Sequence, residues 1–273
     1  VEASDGGGAG TELFYVASCE WLLRNRWAGQ LAFGGGGALP AGARLINRIA
    51  VAQAIPRARE LLDGRQPAAV VATHWGTAHI FARARQFAQC RPPLLYVFTE
   101  LGGSHHLLAC HADRYFAIGE AAATAVSESG VALDHIQRVE PVIQQRFLEA
   151  PDREEARRRL RLDPGRPVIF YGLGGAGIGN AERFVRACTT TIPDAVILVA
   201  TGRNTELRRR LKSRFDASRV VPLPFRDDVE VMLAASDLVA GKCGTLFTME
   251  VVAARRPFLI TQVCAPNERH SRN

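Results

Sequence analysis

Short, continuously apolar runs separated by helix-forming stretches recur along this chain, and that alternation constrains its fold more than any other feature. The runs fall at 69–72, 94–98, 115–118, 168–171, 196–200, 220–223, 238–240 and 258–261. Stretches of helical character lie near 43–62, 77–89, 120–129, 180–191, 204–215, 227–235 and 246–255. A strand that is apolar at successive positions, rather than at alternate ones, has both faces covered. Parallel sheets flanked by helices meet that requirement, so an α/β fold is expected. With 273 residues, two nucleotide-binding-type domains of about 130 residues each are the natural division. The stretch from Glu140 to Arg166 has three prolines, an Arg/Glu-rich helix and no apolar strand. It reads as the junction, giving an N-terminal domain over 1–145, a linker region over 146–166 and a C-terminal domain over 167–273.

Composition removes several classes of function. Hydrophobic residues make up 47% and charged residues 22%, which suits a globular protein and not a disordered one. No run approaches the roughly 18 apolar residues that cross a bilayer. The net charge of +7 comes almost wholly from arginine, Lys212 and Lys242 being the only lysines. No basic run interleaved with aromatics suggests a nucleic-acid groove, whereas a basic surface suits anionic headgroups or a phosphate-bearing ligand. The six cysteines are scattered without a C-x-x-C pair, which fits a reducing compartment. The stretch 11–27 carries Phe14, Tyr15, Trp21 and Trp27 beside Arg24 and Arg26. It reads as a helix packed on its own domain or resting on a membrane interface. The chain begins at Val1 and ends just after a strand, so a fragment at both ends is expected.

The strongest local signal is the strand Val168 to Tyr171 running into Gly172-Leu-Gly174-Gly175-Ala176-Gly177-Ile-Gly179, with a helix starting near Asn180. Glycines allow a sharp turn and close backbone approach, while the first N–H groups of a helix favour a diphosphate. The spacing also satisfies G-x-G-x-x-G, the dinucleotide fingerprint. NAD would then require an acid after the next strand, but Thr201-Gly202-Arg203-Asn204 stands there. Arg203 could be argued for NADP.

A second constellation, Asp237 through Lys242-Cys243-Gly244-Thr245-Leu-Phe247-Thr248-Met-Glu250, places a glycine turn after a strand and before a helix. Thr245 and Thr248 can cap that helix or bond a phosphate. Glu250, one to two turns in, can accept both hydroxyls of a ribose. A third piece, Ala265-Pro-Asn267-Glu268, follows the strand at 258–261. Ligands of open parallel sheets lie at the carboxyl ends of the strands, where all three pieces fall.

These residues resemble the donor domain of GT-B glycosyltransferases of family 28, most of all monogalactosyldiacylglycerol synthases and bacterial diacylglycerol glucosyltransferases. The transferase that adds N-acetylglucosamine to the peptidoglycan lipid precursor is a more distant likeness. Gly172 to Gly179 is similar to the family's glycine loop and Thr201 to Asn204 to its "C-G-R-N". Phe225 to Asp228 resembles its "F-x-D-D/N" turn, Gly241 to Glu250 its "G-K-x-G-x-x-T-x-x-E", and Ala265 to Glu268 its "I-P-G-Q-E". The first half is similar more loosely, through Val71 to His74, Val97 to Glu100 and Asp113 to Phe116.

The resemblance implies two Rossmann-like parallel-sheet domains facing a cleft. It implies a UDP-sugar as co-substrate, no metal or other cofactor, and a lipid acceptor such as diacylglycerol at the inner face of the cytoplasmic membrane. Gly174, Gly175, Ala176 and Gly177 would hold the diphosphate with Arg203, Lys242, Gly244, Thr245 and Thr248 nearby. The backbone at Phe225 and Arg226 would take the uracil, Glu250 the ribose, and Asn267 and Glu268 the sugar. Asn267 stands where relatives have glutamine, and Cys243 and Phe247 are atypical fillers. Inverting single displacement needs a base for the acceptor hydroxyl. The family's "G-G-G-H" histidine has no counterpart between Val1 and Asn273, so the base is unassigned, with His74, Glu100, His105 and His106 as candidates. Three readings stay open: a UDP-sugar hexosyltransferase acting on lipid, an NADP-linked oxidoreductase, and a non-catalytic GT-B-like nucleotide-binding subunit.

Overall fold

In a computed structural model the described residues are 41–100 and 111–262, except 176 and 178. The expected helix at 11–27, together with Ala176, His105, His106, Asn267 and Glu268, lies outside them. The chain divides into two compact units between Pro141 and Val142.

The first unit contains α1 (Ala41–Arg65), β1 (Val70–Ala72), α2 (Trp75–Ala84), β2 (Leu94–Phe98), β3 (Arg114–Ile118), α3 (Gly119–Glu128) and β4 (Ile136–Val139). Its four strands form one parallel sheet in the order β1-β2-β3-β4. Leu94, Tyr96, Phe98, Tyr115, Ala117 and Val126 are buried in its core. Strand β4, Ile-Gln-Arg-Val, is absent from the apolar runs. Only its end residues are half-buried and its polar centre is exposed, as an edge strand permits.

The second unit begins earlier than its first apolar run. Helices α4 (Gln145–Leu148) and α5 (Arg153–Arg159) precede β5 (Val168–Gly172), α6 (Ala181–Thr191), β6 (Val196–Ala200), α7 (Thr205–Arg214) and β7 (Val220–Leu223). Then come α8 (Val229–Ala235), β8 (Leu238–Lys242), α9 (Thr245–Ala253) and β9 (Phe258–Gln262). The stretch 146–166, expected as a linker, packs onto this unit. Phe147 is buried against Val168, Phe170 and Met232, and Ala156 against Val231 and Ala235. Prolines and charges masked that role, because one buried aromatic and one buried alanine give no periodic signal.

All five strands are parallel in the order β7-β6-β5-β8-β9. The chain builds outward from β5 to β7, then crosses back to lay β8 on the other side of β5. The loops after β5 and β8 therefore leave the sheet in opposite directions and open a crevice between them, the place where such sheets hold ligands. Central β5 is buried at every residue, which accounts for its unbroken apolar sequence.

The opposite, amino-terminal edge of β5 and β8 is fastened by charge. Asp237 accepts from the Val168 N–H at 2.7 Å and from Arg157 Nη2 at 2.7 Å, and it pairs with Arg153. Arg157 is 3% exposed and also donates to the carbonyls of Ala235 and Pro164, so its buried charge is fully occupied.

Candidate donor-nucleotide site

At the carboxyl edge, two of the loops are clasped together. Gly174 and Gly177 adopt left-handed backbone, φ 69 and 61, and the Gly177 N–H donates to Gly174 O at 3.1 Å. The next loop locks onto this turn. Arg203 N donates to Gly175 O at 2.9 Å, and Asn204 Nδ2 to Gly177 O at 3.1 Å. Asn204 also caps α7, its Oδ1 accepting from Leu207 N at 2.9 Å. A Cβ at Gly177 would lie 2.1 Å from Thr201 O, and one at Gly202 2.3 Å from Gly175 O. Both glycines are thus required by backbone packing. Gly174 differs, since a Cβ there meets nothing within 4 Å. Gly174 and Gly175 are exposed and α6 starts six residues beyond Gly175, so the turn offers accessible backbone beside a helix amino-terminus.

Over this turn lies a flat pair. The Arg203 guanidinium carbon is 4.8 Å from the centroid of the Phe225 ring, which is 50% exposed. The turn that carries Phe225 is stiffened by Arg226, whose Nε donates to Asp228 Oδ1 at 2.7 Å in a two-point ion pair. That pairing holds the Asp228 carboxyl below its ordinary range.

Between β5 and β8 the sheet carries glycines facing one aromatic. A Cβ at Gly172 would sit 2.6 Å from the Phe247 ring, and one at Gly241 would sit 2.9 Å from it. Phe247 packs edge-on against Phe170 and Phe258. Its bulk is accommodated by the missing side chains of the two strands.

Gly244 is the N-cap of α9, with Thr245 and Thr248 buried in the helix's first residues. Thr248 Oγ1 is a buried hydroxyl without a hydrogen bond to any described residue. Lys242 and Cys243 occupy the end of β8 and the turn; Cys243 is fully buried. Glu250 is half-buried on α9. Burial raises its carboxyl above the ordinary value, Arg146 opposes that, and Glu230 adds to it. Arg146 and Glu230 were not singled out from the sequence; Arg146 lies in a one-turn helix with no motif around it.

In the first unit, His74 is the N-cap of α2. Its Nδ1 accepts from the Gly76 N–H at 3.1 Å, and burial lowers its pKa, which favours the neutral ring that this bond needs. Glu100 is half-buried, two residues beyond β2. Among the described residues no group of three or more His, Cys, Asp or Glu is arranged to hold a metal ion. No described helix is long and apolar enough to cross a membrane.

No protein-family model matches the chain. In sequence it is similar to processive diacylglycerol β-glucosyltransferases, at 24% identity for that of Staphylococcus epidermidis and 25% for that of Staphylococcus carnosus. Each match runs over 169 residues, 61% of this chain and 43% of the relative. The probable chloroplastic monogalactosyldiacylglycerol synthase 2 of Oryza sativa subsp. japonica is 28% identical over 116 residues, 40% of this chain and 25% of its own length. The chain therefore spans less than half the length of the curated relatives it matches. Among solved structures, Anabaena HepE in complex with UDP-glucose superposes with a TM-score of 0.53 at 16% identity, covering 82% of this chain and 72% of that one. The S. aureus MnaA–UDP co-structure gives a TM-score of 0.56 at 13% identity, covering 80% and 63%. The fold is that of the GT-B glycosyltransferases, and the sequence is similar to their lipid-modifying family 28.

Proposed function

We propose that this chain is part of an inverting glycosyltransferase that moves a hexose from a UDP-sugar to a lipid acceptor such as diacylglycerol. One observation carries the reading. The glycine turn after β5, the Arg203–Phe225 pair and the start of α9 with Glu250 are all borne by the carboxyl edge of one sheet, around its switch point. Diacylglycerol glucosyltransferase relatives supply the acceptor class.

In this reading the accessible turn at Gly174 to Gly177 and the amino-termini of α6 and α9 hold the diphosphate. Phe225 and Arg226 frame the uracil, and the Glu250 carboxylate accepts from the ribose hydroxyls. Asn267 and Glu268 contact the sugar. The acceptor hydroxyl attacks the anomeric carbon as the bond to UDP breaks; its proton passes to a base, and helix termini stabilise the departing charge. The proposal assigns no metal and no further cofactor. His74 would have to act through Nε2, since Nδ1 holds Gly76; Glu100, His105 and His106 are the other groups to test. The basic chain suits an anionic membrane surface on the cytoplasmic side.

Incubating the protein with diacylglycerol and UDP-glucose or UDP-galactose, followed by lipid analysis, tests the reaction. Glu250→Ala is expected to weaken UDP-sugar binding by about 1–3 kcal/mol, the loss of charge-assisted hydrogen bonds. Unchanged affinity in calorimetry would remove the ribose assignment. Binding of adenine dinucleotides without UDP-sugars would favour an oxidoreductase, although the loop after β6 has no acid and its Arg203 already stacks on Phe225.

A further inference from the structure

Arg146 occupies a one-turn helix ahead of the nucleotide-binding strands, yet this helix touches two of their connections, β7 to β8 and β8 to β9. Its neighbour Phe147 is 3% exposed and packs with Val168, Phe170, Met232 and Val251. That anchor fixes the base of the arginine, whose guanidinium carbon lies 5.3 Å from the Phe147 ring centroid. From there Nη1 donates to the carbonyl of Asp227, inside the turn that carries Phe225. Nε lies 3.7 Å from Glu230 Oε2 on α8. This oxygen is buried and has no hydrogen-bond partner among the described residues, so the arginine's charge is its compensation. On the third side α4 packs against α9, the helix of Glu250.

We propose that Arg146 is a positioning residue for the nucleotide: it fixes the 225–228 turn through the Asp227 carbonyl and supplies positive charge to the Glu230 and Glu250 carboxylates. The inference rests on the assignment of Glu250 to the ribose. Among the described residues the charged groups around Glu250 are few. Arg146 on α4 favours its ionised form and Glu230 on α8 opposes it, α9 has no other charged residue, and Arg226 and Asp228 are paired with each other. Without Arg146, burial and Glu230 would act on Glu250 unopposed, and a carboxyl that keeps its proton cannot accept two hydroxyls. Its pKa would rise, so nucleotide binding would fail at a higher pH as the medium is acidified.

The test is calorimetric titration of UDP into the whole chain between about pH 4 and 8, a span that begins near the ordinary glutamate value. Arg146→Gln is expected to weaken binding about tenfold near neutral pH, with the acid limb displaced upward. Arg146→Lys should keep the limb of the native protein but not its neutral-pH affinity, because an ammonium restores charge without the two-sided fork. Adding Glu230→Gln to Arg146→Gln should move the limb back down. Glu230→Gln alone should lower the limb of the native protein, which gives a readout even if Arg146→Gln does not fold. Native affinity and native pH profile in Arg146→Gln would overturn the proposal, as would a limb indifferent to Glu230→Gln. A native protein that binds no UDP at any pH would instead sink the donor-site assignment on which it rests.

Discussion

At the residue scale, Gly174 and Gly177 share a left-handed backbone but not a reason for being glycine. Alanine at 177 combines the conformational penalty with a Cβ 2.1 Å from a backbone carbonyl, and should cost about 3–5 kcal/mol in denaturant unfolding. Alanine at 174 meets open space and should cost only about 1–2 kcal/mol. Its methyl group would nevertheless stand over the exposed turn, so Gly174→Ala should fold and bind UDP more weakly. A fully native affinity in that variant would place the diphosphate elsewhere. The glycine turn could be read from the sequence because strand, glycines and helix start are contiguous. The clasp by Arg203 and Asn204 could not, since it joins residues some 27 positions apart. Arg146 was hidden for the same reason, its partners lying 81 and more residues downstream.

At the scale of elements, continuous apolar runs gave away six of the nine described strands to within about two residues of their ends, because burial that reaches both faces leaves few polar positions. Strand β9 was located too, although Leu259 is 48% exposed. Strand β1 was also located, although Val71 at its centre is 59% exposed. Strand β4 escaped because an edge needs only half its residues inside. Helix α5 was visible from its Arg/Glu pattern, but its attachment was not, as that depends on Arg157 meeting Asp237 eighty positions later. Asp237→Ala would strand a buried guanidinium and free the Val168 N–H, and is expected to cost about 3–5 kcal/mol. Chemical denaturation checks this; a loss below about 1 kcal/mol would mean that water replaces the carboxylate.

At the scale of the whole molecule, each unit has its own sheet and its own buried cluster, so the two need not melt together. UDP should raise only the transition of the second unit. At a hundred times its dissociation constant it adds about 2.7 kcal/mol to whichever folded state binds it. Calorimetric melting with and without UDP checks this, and an equal shift of both transitions would mean that the first unit takes part in holding the nucleotide. The two-unit plan followed from length and strand alternation. Its boundary did not, because Phe147 and Ala156 attach the apparent linker to the second unit by burial that only the folded chain displays.

The foot of the β5–β8 pair is riveted by Arg157 and Asp237, while its crown ends in bare glycine turns. The foot of the two strands thus serves stability alone, whereas the crown combines close-packed glycines such as Gly177 with the open position Gly174. Under the proposed function, substitutions at open crown positions such as Gly174 should change nucleotide affinity while the rivet keeps the strands aligned, and sequence drift at the rivet should change how long the protein lasts and leave that affinity alone.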